Sequence, residues 1–194
     1  LGVGVADADG DAIYNGAIDN GTGIAAMLEL ARAYGKAAPT ERSILFLAVT
    51  AEERGLLGSE YYASNPLYPL GKTVAVLNMD ALAVGGPARN FTISGNAQLE
   101  LLDQLIATAK QWDMVYSPDP KPEAGHFFRS DHFPMAKRGV PAISYGSGED
   151  LIDGGTAAGA AAEAEYNEKH YHQPSDEWQA DWPMTGLARD LQVL

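Results

Sequence analysis

RSILFLAVTAEERGLLGSEYYASNP, residues 42–66, sets a nearly continuous apolar run of strand length against two acids, Glu52 and Glu53, and then a helical stretch closed by Asn65 and Pro66. A run apolar at almost every position, rather than at alternate ones, suits a strand covered by helices on both faces. Residues 42–50 therefore read as a central strand of an α/β fold.

The flanking segments extend the alternation. Upstream, in AIDNGTGIAAMLELAR (residues 17–32), Ile24, Met27, Leu28 and Ala31 fall at i, i+3, i+4 and i+7. That spacing predicts a helix capped by Thr22 and ending near Gly35. Downstream, KTVAVLNMDAL (residues 72–82) and GVPAISYG (residues 139–146) read as strands, and residues 96–112 repeat the helical period through Leu102, Leu105, Ile106 and Ala109. The Ala- and Gly-rich GGTAAGAAAEAEY, residues 154–166, reads as a loop followed by a surface helix. Together these predict a three-layer α/β sandwich, with a mostly parallel mixed central sheet flanked by helices, as a single domain over residues 1–194.

Acidic residues outnumber basic ones 26 to 13, a formal net charge of −13 that argues against binding nucleic acid or an anionic membrane surface. No apolar run is long enough to span a membrane. Without cysteine there is neither a disulfide framework nor a thiolate metal cluster, so a bound metal must be held by Asp, Glu and His.

In open α/β sheets ligands bind beyond the carboxyl ends of the strands. Glu52 and Glu53 follow one predicted strand, Asp80 ends the next, and Asp19 precedes its helix where it can meet them. Each acid alone has a plain reading as a turn, helix-start or cap residue. Four on one ligand edge point to a carboxylate-rich metal site. Of the four histidines, His126, His132, His170 and His172, the last is the best ligand candidate, because YNEKHYHQPSDEW places it in a polar loop. His170, two residues away, points elsewhere in an extended chain. Ser130, Asp131 and His132 supply the residue types of a nucleophilic triad, but consecutive side chains diverge. The glycosylation sequons at Asn20 and Asn90 are short enough to arise by chance.

In their order, AIDNGTGIAAMLELAR, TAEERGLLGSEYY, LNMDAL, RSDHFPMAKRGVPA and YHQPSD resemble metallopeptidase family twenty-eight, the co-catalytic zinc aminopeptidases. The resemblance implies that Asp19 bridges two zinc ions, that Glu53 and His172 complete one of them, that Asp80 binds the other, and that Glu52 is the general base. It implies contacts to substrate or to the ligands for Asp131 and His132, a peptide substrate with a free N-terminus, and a secreted or periplasmic bacterial enzyme. Carboxylate-rich sites of this kind also accept manganese or cobalt.

One family element is not found. An H-x-D normally precedes D-N-G-T-G and gives the Asp80 zinc its histidine, yet no histidine precedes His126. The opening LGVGV resembles the sequence that follows H-x-D, so the chain is expected to be N-terminally truncated, with one strong zinc site and one weak or empty one. Loss of the preceding segment is also expected to expose a sheet edge and favour self-association. Two alternatives stay open: a glutaminyl cyclase-like enzyme with a single zinc held by Asp19, Glu53 and His172, and a noncatalytic domain that keeps the peptidase fold.

Overall fold

The computed structural model describes residues 2–96 and 99–194. Two short strands, β1 (Gly2–Val3) and β2 (Ile13–Tyr14), pair antiparallel at the start of the chain. The main sheet holds β3 (Val76–Met79), β4 (Asn90–Ile93), β5 (Val115–Tyr116) and β6 (Ala142–Ser147), in the spatial order β3-β6-β4-β5. Two of its three pairings are parallel, and β4 runs antiparallel to β6. The helices are α1 (Gly23–Tyr34), α2 (Leu57–Ser64), α3 (Glu100–Ala109), α4 (Phe133–Ala136), α5 (Gly155–Lys169) and α6 (Thr185–Asp190).

Strand alternation divides the core between two faces. Phe91, Ile93, Ile143 and Tyr145 point to one side, against Leu102, Leu105 and Ala109 of α3 and Leu187 of α6. Phe91 and Tyr145 stack there at 5.5 Å. Val76 points to the other side, against Ala63 of α2 and Met135 of α4. The architecture is therefore the expected mixed sheet with helices on both faces. Among the described residues no helix is long and apolar enough to cross a membrane.

Residues 42–50 depart from expectation. They run without strand structure, and Ile44 and Leu45 are 44% and 46% exposed. A strand is defined by the backbone it pairs with, and no described segment bonds to residues 43–49 in a ladder. Instead β3 stands at the edge of the sheet, and its Leu77 is exposed. The apolar stripe of α1 is likewise only partly covered, with Ala26 buried but Leu28 60% exposed.

Local details shift as well. Thr22 does not cap α1, because its hydroxyl donates back to the Ile18 carbonyl (2.8 Å). The side chain of Asn20 accepts from the Gly23 N–H (3.0 Å) instead. The helix read over 96–112 starts at Glu100, and the part of that reading on residues 97 and 98 lies outside the described residues. The Ala-rich helix begins at Gly155, which leaves the loop to the residues before it.

Candidate metal centre

Asp19 is held from below by a residue that sequence reasoning passed over. Asp176, almost completely buried, accepts the Ile18 N–H through Oδ1 (2.9 Å) and the Asp19 N–H through Oδ2 (3.1 Å). The next residue, Asn20, donates to the Met79 carbonyl at the end of β3 (3.0 Å). Helix α1 thus begins against the strand that delivers Asp80. A Cβ at Gly23 would collide with the Met79 carbonyl and with Asn20, so the second glycine of D-N-G-T-G is needed for close approach.

Glu52 and Glu53 lie in one 3-10 turn, residues Glu52–Arg54, flanked by Ala51 and Leu56 in left-handed conformations (φ 58° and 59°). Ala81, which follows Asp80, and His172 itself are also left-handed (φ 48° and 57°). Four of the five non-glycine residues with positive φ among the described residues therefore border the same acids. Such conformations cost about 1–3 kcal/mol each and persist where the surroundings enforce them.

His172 closes the cluster. Its Nε2 lies 2.8 Å from Glu53 Oε1 and 3.2 Å from Asp19 Oδ2, and its ring stacks on Tyr171 at 3.8 Å. Neither approach has hydrogen-bond geometry, so Nε2 is buried without a hydrogen-bond partner among the described residues. One donor atom each from Asp19, Glu53 and His172 lies within 4.8 Å of the others, the only such group of three among the described residues that meets this spacing. Two carboxylates and an orphaned imidazole nitrogen converging on one point fit a divalent cation of the kind that Asp, Glu and His share. His170 turns away, with Nδ1 3.0 Å from the Ser175 carbonyl.

Asp80 stands outside this group of three, immediately after β3, where its Oδ2 accepts a 2.6 Å hydrogen bond from Ser130. Asp131 accepts from Ser59 at 2.6 Å. His132 is fully buried edge-on against Phe127 (4.8 Å), with neither ring nitrogen hydrogen-bonded to any described residue, and burial pushes its pKa down to about 4. The Ser130, Asp131 and His132 side chains therefore diverge and form no triad.

Burial, then the charges of Asp80, Glu53, Asp131 and Asp19, raises the Glu52 pKa to about 8. Burial, then Asp80 and Glu53, raises Asp19 to about 6, with His172 acting the other way. A raised acid contributes stability that is complete below its unfolded value and lost as pH climbs through its folded one. Asp190, buried beneath Tyr145 and raised to about 6, has the same sign. His132 has the opposite sign, its contribution present above 6.5 and lost as pH falls toward 4. Above 6.5 Glu52 dominates. The melting temperature of the chain in chelator should fall as pH rises from about 6.5 to about 8.5, and Glu52→Gln should flatten the slope. A wild-type melting temperature that is level over that interval would contradict the assignment.

The sequence profile described as Peptidase family M28 matches residues 3–193. The chain is 33% identical over 145 residues to Leupeptin-inactivating enzyme 1 of Streptomyces exfoliatus, a match covering 72% of this chain and 31% of that protein. The chain thus spans about a third of that curated relative's length. Among solved structures, the aminopeptidase from Aneurinibacillus sp. strain AM-1 is similar with a TM-score of 0.64 at 23% identity, covering 92% of this chain and 38% of that one. Glutaminyl cyclase of Porphyromonas gingivalis is similar with a TM-score of 0.60 at 19% identity, covering 98% and 65%. At these identities the structural likenesses establish the fold.

Proposed function

We propose that this chain, which belongs to peptidase family M28, is the single catalytic domain of a zinc-dependent exopeptidase, an aminopeptidase that hydrolyses the N-terminal peptide bond of its substrate. The observation that carries this reading is the convergence of Asp19, Glu53 and the orphaned His172 Nε2.

In this reading Asp19, Glu53 and His172 would hold the tighter zinc, and Asp80 with Asp19 would hold a second one more weakly. Lewis acidity is what zinc supplies there when bound, making water acidic near neutral pH and polarising a carbonyl oxygen. Glu52 takes the proton of the attacking water and returns it to the leaving amine. It can do so only when ionised. Burial raises Glu52 first, and of the charges that add to it those of Asp80, Glu53 and Asp19 would face cations, so loading the site would offset that part of the shift and favour the ionised form that accepts a proton. Secretion to an extracellular or periplasmic compartment goes with this reading.

Incubation with zinc and two short peptides, one beginning with Leu and one with Gln, tests it by mass spectrometry. Release of the free N-terminal residue from the Leu peptide is the expected result. A glutaminyl cyclase-like activity is the second reading, favoured by the three-residue ligand group, and loss of ammonia from the Gln peptide alone would put it first. No change in either peptide would favour a noncatalytic domain. Calorimetric titration should show one tight zinc equivalent and a weaker second. Two equally tight equivalents would reject the assignment of one complete and one incomplete site.

A further inference from the structure

We infer that Asn78 is a positioning residue that fixes the direction of a hydrogen-bond chain onto Asp80 and so leaves one Asp80 oxygen free for a cation. The inference rests on the reading of Asp80 as a ligand of the weaker site. The Asn78 amide nitrogen donates to Ser130 Oγ (2.8 Å) and to Ser144 Oγ (3.2 Å), and Ser130 Oγ donates to Asp80 Oδ2 (2.6 Å). The sheet itself sets these partners. Asn78 and Asp80 are two residues apart, and the parallel β3–β6 register places Ser144 opposite Asn78.

The direction follows from proton counting. Ser130 has one hydroxyl proton and can give it to only one acceptor. An anionic carboxylate is the stronger acceptor, so the proton goes to Asp80, and the other neighbour of Ser130 must then be a donor. The NH2 end of Asn78 meets that requirement, while its carbonyl end would compete for the same proton. Ser144 holds the amide in the required orientation by accepting its second proton. With Oδ2 engaged by Ser130, Asp80 presents Oδ1 to the site.

Asn78→Asp separates this chain from simple electrostatics by sign. An added carboxylate near a cation site tightens cation binding on charge alone. A positioning role demands the reverse, because the introduced carboxylate takes the Ser130 proton and strips Asp80 of its donor. Zinc titration of the chain by calorimetry should show the second equivalent weakened by about tenfold or more in Asn78→Asp, with the first unchanged. Ser130→Ala should reproduce the selective loss, and combining the two should do no further harm. Asn78→Leu, which removes the donor without offering an acceptor, should weaken the second equivalent by a few-fold and serves if the Asn78→Asp variant does not fold. A second equivalent that tightens or stays unchanged in Asn78→Asp, or equal weakening of both equivalents, would overturn the inference while leaving Asp80 a ligand. A wild-type chain that takes up only one equivalent at millimolar zinc would remove Asp80 as a ligand, and the inference would fall with it.

Discussion

Glu52→Gln should lower kcat on a Leu-initiated peptide by about two to four orders of magnitude, the usual worth of a positioned general base, and leave KM and zinc uptake within a few-fold. Gln keeps the shape of Glu52 but cannot take up a proton from water and return it to the leaving amine. Glu52 belongs to neither proposed ligand set, and His172 Nε2 lies against Glu53 and Asp19, so the tighter zinc should still bind. The variant separates roles that a truncation would confuse: Glu53→Gln should lose the tight zinc, whereas Glu52→Gln should lose turnover with zinc in place. The acid limb of the pH–rate profile should disappear with the residual activity. A Glu52→Gln chain that retains more than about a tenth of wild-type kcat would remove Glu52 as the base.

The two adjacent acids also show which parts of the site can be read from a sequence. Asp80 directly follows β3 and Asp19 lies just before α1, positions that the local pattern is enough to give, whereas Glu52 and Glu53 lie in a 3-10 turn after a segment that reads as a strand and is not one. His172 was legible because a polar loop with a proline around it offers an imidazole no apolar face to fill. What local pattern could not show was partnership. Residues 42–50 have the composition of a central strand, yet pairing is a property of two segments, and the apolar run remains partly exposed without a partner strand among the described residues. The same limit hid the supporting residues. Asp176 lies 157 positions from Asp19, and Asn78 lies 52 from Ser130, separations across which no sequence period carries information. Asn20 was in view inside D-N-G-T-G, but its links to Met79 and Gly23 depend on how α1 meets β3.

Asp176→Ala should lower the melting temperature by about 10 °C and weaken the tighter zinc by about 10- to 100-fold. The stability loss comes from two amides. The Ile18 and Asp19 N–H groups both end on the Asp176 carboxylate, which is 1% exposed. A buried donor left without its acceptor costs about 1–3 kcal/mol, and each kcal/mol is worth about 2–4 °C in a domain of this size. The affinity loss has a separate origin. The two donors belong to Ile18 and Asp19, so Asp176 fixes the backbone from which the proposed bridging carboxylate projects, and residues that orient a ligand typically contribute one to two orders of magnitude in metal affinity. Asp176→Asn sharpens the test. It preserves volume and buries no charge, but it offers one oxygen where two N–H groups each require one, and its NH2 must face an amide donor. Asn should therefore fail to rescue zinc affinity even if it restores part of the melting temperature. An Asp176→Asn chain with wild-type zinc affinity would mean that the segment from Ala17 to Thr22 holds Asp19 in place without this carboxylate.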